Sequence, residues 1–127
     1  MKFNMCAPIL GFENVKEVTL EKVDDVLMIM RPTNEEHISF TMVNPFILKE
    51  KYDFVAPEDI QRLLDITDKS DIMVLSIVLI QDPIGDSLVN FAGPIVFNND
   101  NNKAAQIILS HSPEYGVAEK ISNFLEK

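Results

Sequence analysis

A single cysteine, Cys6, stands in this chain of 127 residues, so no internal disulfide can form. That usage fits a reducing compartment. Only four glycines are present, which leaves little room for a phosphate-cradling loop, and none of the motifs G-x-S-x-G, G-x-x-x-x-G-K or G-x-G-x-x-G occurs. Histidine is equally scarce. His37 and His111 lie far apart, and Glu35-Glu36-His37 lacks the second histidine four residues on that a zincin helix needs. A closed zinc site would require Cys6, both histidines and a carboxylate to converge. Asn98, Asp100 and Asn102 open like a calcium loop, but Leu109 stands where the bidentate glutamate belongs. No metal, no cofactor and no catalytic group is expected.

Basic residues are few: 11 against 20 acids, a net charge of −9. Such a surface repels phosphate, which argues against direct binding of nucleic acid or of an anionic membrane. A basic protein is the natural partner. Long hydrophobic runs are absent too. The longest, Ile72 to Ile80, is interrupted by Ser76 and falls far short of the ~20 residues of a membrane helix. Met1-Lys2-Phe3-Asn4-Met5 contains no apolar signal region, so a cytoplasmic protein is expected.

What is present is an ordinary globular balance, 46% apolar and 24% charged, at a length that suits one domain over residues 1–127. Seven prolines punctuate short apolar runs. This spacing predicts a mainly β fold, a compact, mostly antiparallel barrel or sandwich with one or two short helices.

Pro8 to Glu13 reads as a tucked-in turn. Glu17 to Val23 alternates, with Val18 and Leu20 on one side, and predicts a half-buried strand. Asp24-Asp25 makes a turn, Val26 to Met30 a second strand, and Thr33 to Glu36 a polar connection. Ile38 to Val43 alternates with Ile38, Phe40 and Met42 inward, and Asn44-Pro45 stops it. Phe46 to Phe54 reads as extended and irregular. A helix begins at Pro57, with Glu58 and Asp59 at its positive end and Ile60, Leu63 and Leu64 on one face. Ile72 to Ile80 predicts a central strand covered on both faces. Pro83 to Asp86 is a turn, followed by short strands over Leu88 to Phe91 and Ile95 to Phe97. Asn98 to Asn102 predicts a hairpin tip and Ala104 to Leu109 its returning strand. After Pro113, the spacing of Val117, Ala118, Ile121, Phe124 and Leu125 predicts an amphipathic helix.

Five segments taken in order resemble the FliW family of flagellar assembly factors. They are Pro8-Ile9-Leu10-Gly11-Phe12-Glu13, Phe40-Thr41-Met42-Val43-Asn44-Pro45-Phe46, Tyr52-Asp53-Phe54, the stretch Val89 to Asn98, and Ala105-Gln106-Ile107-Ile108-Leu109. Together they run over nearly the whole chain. Gly93 departs from the pattern, where Ala or another small residue is expected, and so does the segment after Leu109. The resemblance implies a non-catalytic binding protein of the cytoplasm. Its implied partners are flagellin and, alternately, CsrA, a basic RNA-binding repressor of flagellin translation that FliW antagonises.

Eight acids between Asp53 and Asp86, among them Asp65, Asp68, Asp71, Asp82 and Asp86, face only Arg62 and Lys69. Gathered on one side, they would dock on a basic protein and oppose RNA by charge. A solvated acidic face that keeps the chain soluble is an equally good reading of them. For flagellin a groove or strand edge receiving an amphipathic segment is expected. Phe46 and Phe54 are candidates for its lining, although core packing is the simpler role of both phenylalanines; Asn44 is a further candidate for contact with a protein partner. Two alternatives stand beside this reading. One is a binding module or chaperone for another secreted client. The other is a small thiol- or histidine-dependent enzyme using Cys6 or His111.

Overall fold

The computed structural model describes residues 1–33, 35, 37–49, 52–109 and 116–125, with the backbone alone of 124 and 125. The strands are β1 (Lys2–Ala7), β2 (Glu17–Lys22), β3 (Leu27–Pro32), β4 (Phe40–Val43), β5 (Ile72–Leu79), β6 (Leu88–Val89), β7 (Ile95–Asn98), β8 (Lys103–Gln106) and β9 (Glu119–Lys120). Short helical segments α1 (Pro45–Leu48), α2 (Glu58–Leu63) and α3 (Ser122–Leu125) lie between or after them. Seven strands in the order β4-β3-β2-β1-β8-β7-β5 close into a barrel by the pairing of β5 with β4, and β6 and β9 extend the sheet beyond β5. Closure removes most of the edge that an open sheet would expose. Neighbours pair antiparallel except β1 with β8.

Alternation decides what fills the barrel. Val18 and Leu20 of β2, Met30 of β3, Phe40 and Met42 of β4, Leu75 of β5 and Ile95 and Phe97 of β7 meet in one buried cluster with Phe3. Each such side chain contributes about 1.5–3 kcal/mol through removal from water. Phe3 and Phe97 meet edge-to-face at 5.0 Å between ring centroids.

A second layer covers the outside of the barrel. Leu64, Val96, Ala105 and Ile107 form one outer core under α2, with Ile60, Ile66 and Phe54 packed against it. Val43, Leu48, Tyr52, Val78, Val89, Phe91 and Ile121 form the other. The Tyr52 hydroxyl, buried there, donates to the carbonyl of Phe91 at 2.7 Å. Helix α2 stops because Asp65 adopts φ +54°. The amide of Ile66 then returns to the Gln61 carbonyl and that of Asp65 to the Arg62 carbonyl. This is the paired closure of a left-handed helix end. The freed Leu64 carbonyl accepts from Asn98 Nδ2 at 2.8 Å and Asn101 Nδ2 at 2.9 Å. The hairpin tip between β7 and β8 thus clamps the end of α2, which its reading as a turn alone does not foretell.

Four expectations need correction. Asn44-Pro45 ends β4 but also begins α1, so Phe46 to Leu48 is helical rather than extended; Asn44 Oδ1 caps it by accepting from the Phe46 amide at 2.9 Å. Leu63 does not share the inward face of α2: it stays 41% exposed while Leu64 is buried. The β5 run is covered on both faces only in part, since Leu79 and Ile80 are exposed at its end. The C-terminal spacing forms no continuous helix. Glu119–Lys120 pairs with β6, Val117 is exposed, and only Ser122–Leu125 is helical. The reason is that β6 offers unpaired backbone there, and a ladder satisfies it. Pro113, His111 and part of the Thr33 to Glu36 connection lie outside the described residues.

Candidate protein-binding surfaces

Among the described residues, two apolar grooves stand out on the outside of this barrel. The first lies at the turn Ile9–Phe12, where the Phe12 amide donates to the Ile9 carbonyl at 2.8 Å and Gly11 adopts φ +88°. That left-handed third position is what a type II turn demands, and it explains the glycine. The turn lifts Leu10 out to 71% exposure while Ile9 is buried. Leu10, Phe12, Phe40, Ile77, Ile108 and Val117 wall a groove of about 240 Å³.

Its floor is polar and tied down. Gln106 Oε1 accepts from the Leu10 amide at 2.7 Å, and Gln106 Nε2 donates to the Gly93 carbonyl at 3.0 Å. Asn90 Oδ1 accepts from the Ala92 amide at 3.0 Å. A Cβ on Gly93 would stand 2.8 Å from Gln106 Nε2 and 3.0 Å from Asn90 Nδ2. The departure at Gly93 therefore has a local cause: both amides close on the space a side chain would fill. Gly93→Ala is expected to cost about 1–3 kcal/mol by overpacking. A thermal melt followed by circular dichroism checks it, and an unchanged midpoint would show that the amides give way freely.

The second groove lies between the β2–β3 hairpin, α1 and the segment after β5. Val26, Leu27, Leu48, Ile80, Ile84 and Ile121 wall a depression of about 170 Å³ with Asp24 at its rim. Val26 and Asp24 also border an adjoining depression that reaches Asp25, Asn44 and Ile47. Asp24 holds the hairpin turn, its Oδ1 accepting from the Val26 and Leu27 amides at 2.8 Å each. Those bonds hold its carboxyl below the usual carboxylate range. Ile84 is 58% exposed and Val26 and Ile80 over 40%. Aliphatic exposure grouped in this way marks interaction surfaces.

The sequence candidates distribute unevenly over these features. Asn44 caps α1 and borders the second groove's extension. Phe46 is partly exposed, edge-on to Tyr52 at 5.3 Å. Phe54 is half-buried between the two outer cores, 5.7 Å from Tyr52.

The acids do not form one side. Asp71 precedes β5 and Asp82 follows it, so the eight-residue strand holds the two groups at its opposite ends, about 25 Å apart by strand rise. At the first end Asp65 pairs with Lys103 Nζ at 2.7 Å, and that hydrogen bond raises the lysine's pKa. Asp68 is exposed in the Thr67–Ser70 turn, and Asp71 is exposed beside Asp100. At the other end Asp82 is exposed and Asp86 lies 3.8 Å from Lys120. The condition that the acids gather in one place is not met along β5: they stand in two groups at its two ends.

Leu10, Ile80 and Val117 were not legible as surface residues, because an apolar residue in a short run reads as core. The signal available was local: Leu79-Ile80 runs directly into the polar turn Gln81-Asp82-Pro83. As for chemistry, no group of three or more His, Cys, Asp and Glu that could hold a metal exists among the described residues. Cys6 is half-buried, 3.7 Å from the Asn4 carbonyl, and His37 is an exposed side chain 3.9 Å from Glu35. Among the described residues no helix is long and apolar enough to cross a membrane.

Comparisons with known proteins agree with one another. A family model described as "FliW protein" matches residues 1–121. The chain is 62% identical over its whole length, and the whole of the relative, to "Flagellar assembly factor FliW" of Sulfurimonas denitrificans. It is 44% identical to "Flagellar assembly factor FliW 2" of Wolinella succinogenes, over 98% of this chain and 92% of the relative. A crystal structure of the flagellar assembly factor FliW superposes with a TM-score of 0.89 at 25% identity, covering 99% of this chain and 87% of that one.

Proposed function

Since the chain belongs to the FliW family of flagellar assembly factors, we propose that it works by binding two proteins in turn, flagellin and the translational repressor CsrA. Occupation by flagellin releases CsrA to repress flagellin synthesis, and export of flagellin reverses this. The role is non-catalytic and cytoplasmic, with no direct contact to RNA or membrane. The observation that carries the reading is the pair of separate apolar grooves on a closed, acidic barrel. Closure leaves little free strand edge beyond β6 and β9, so apolar grooves and charge are the main means of holding a client.

The groove at Leu10 suits an apolar segment of flagellin: its walls carry no charged side chain, and Asn90 offers amide hydrogen bonding at the floor. For CsrA the net charge of −9 is the attraction, and bound beside the RNA groove it would oppose phosphate. Affinity for CsrA is therefore expected to fall with added salt. Between 50 and 300 mM salt we expect a loss of about 10-fold, because screening shortens the reach of exposed charges. Isothermal titration with flagellin and with CsrA, alone and in competition, tests the reading. Absence of association with either at 150 mM salt would end it, and salt-independent CsrA affinity would remove the electrostatic part.

A further inference from the structure

We infer that residues 116–121 form a strap that opens and closes as one unit on the closed barrel, fastened by a clip at Glu119, and that this strap couples the walls of the two apolar grooves. The inference goes beyond the reading above and needs neither client. The strap runs antiparallel to residues 87–92. The Gly116 carbonyl accepts from the amides of Phe91 at 2.9 Å and Ala92 at 3.2 Å. Further along, β9 pairs with β6, and the Ile121 amide donates to the Ser87 carbonyl at 2.8 Å. Every strand of the barrel has a neighbour on each side, whereas β9 has β6 alone among the described residues.

Packing holds the strap lightly. Ile121 is its one buried residue, and Val117, Ala118 and Lys120 are exposed. A segment with little buried apolar surface and a ladder on one side opens locally before the domain unfolds. Glu119 supplies the fastening. Its Oε2 accepts from the Gly116 amide at 2.6 Å, and its Oε1 lies 3.7 Å from Lys49 Nζ, in a side chain 23% exposed. Lys49 caps the end of α1, and its Nζ stands 5.4 Å from the centre of the Phe91 ring. One carboxylate thus ties the start of the strap to the elements beneath it. Gly116 belongs to the clip, since a Cβ there would stand 3.1 Å from Glu119 Cγ and 3.2 Å from Oε2.

The strap lines both grooves. Val117 walls the groove at Leu10, and Ile121, four positions on, walls the groove at Val26. Two other segments also reach both: Phe40 and Val43 of β4, and Ile77 of β5 with Ile80 just after it. Those strands belong to the closed barrel and leave it only by breaking ladders on two sides. The strap breaks one, so its opening removes a wall from each groove at once. Whatever seats against Val117 or Ile121 favours the closed strap and thereby completes the other groove.

Amide exchange and methyl relaxation dispersion, both by NMR on the whole chain without ligand, test this. In the wild-type protein the amides of Phe91 and Ile121 are expected to be equally protected and to exchange about 100-fold faster than those of β7 and β8. Glu119→Ala should raise the open population about 10-fold, through loss of a charged hydrogen bond. Glu119→Gln keeps an acceptor for the Gly116 amide and should raise it about 3-fold. Gly116→Ala should act in the same direction by crowding the carboxylate. In each variant the methyl groups of Val117 and Ile121 should report one shared exchange process, while those of Val18 and Ile95 in the barrel interior stay silent. Ile121→Val, a change made in one groove, should raise exchange at Phe91 and at Val117 in the other groove about 3-fold. If Phe91 and Ile121 of the wild-type protein exchange only as slowly as β7 and β8, no separate unit exists and the inference falls. It falls as well if loss of the clip frees Phe91 but not Ile121. An unmoved Val117 in Ile121→Val would show that the grooves share no moving wall.

Discussion

Phe97→Ala is expected to lower the unfolding free energy by about 4 kcal/mol. Phe97 is fully buried in β7, at the middle of the barrel interior. Its ring meets Phe3 edge-to-face at 5.0 Å, so truncation removes both burial and an aromatic contact across two strands that are not neighbours. Closed barrels relax poorly around such a gap, because every strand is hydrogen-bonded on both sides. Urea denaturation followed by circular dichroism should show the midpoint falling by about 2 M at an unchanged slope. A loss under about 1 kcal/mol would mean that the strands collapse onto the cavity, contrary to a rigidly closed sheet. Phe12→Ala, at a ring 39% exposed, provides the contrast and should cost much less.

Asn98→Ala comes second, at about 2–3 kcal/mol. The side chain is 1% exposed and makes two bonds. Its Nδ2 reaches the Leu64 carbonyl at 2.8 Å and its Oδ1 accepts from the Asp100 amide at 3.0 Å. The variant strands the Asp100 amide and leaves the end of α2 with the single amide of Asn101. Asn101→Ala should cost less, since that residue is only half-buried and Asn98 remains. The double variant should cost more than the sum, because the Leu64 carbonyl then loses both donors. Faster amide exchange at Asp65 and Ile66 would localise the damage to the helix end. If the two single variants simply add, the shared-carbonyl account is wrong.

The same clamp shows how far local reading reaches. Asn98 to Asn102 is legible as a hairpin tip from residues that tolerate a left-handed backbone, and Asn102 does adopt φ +61°. That the tip also binds the end of α2 is not legible, since Leu64 lies 34 positions away. Gln106 is a parallel case. Its presence in a return strand is visible, but its bonds to Leu10 and Gly93 appear only when the barrel brings them together.

The candidate surfaces follow the same rule in a sharper form. Asn44 and the acids could be named from the sequence, but their grouping could not. Asp65 to Asp71 and Asp82 to Asp86 are close in sequence, and the extended β5 between them carries them to opposite ends. Leu10, Ile80 and Val117, three of the exposed apolar residues, looked like core.

The sequence by itself determined the acidic charge, the β class, the faces of β2 and β4 and the hairpin tip. Each of these depends only on composition or on residues within a few positions of one another. The tertiary structure alone decided which apolar residues stay exposed, where the carboxylates stand relative to them, and how the C-terminal segment pairs. Period-two alternation assigns a side chain to a face, but whether that face is covered depends on which distant strand closes the barrel and which loop crosses it.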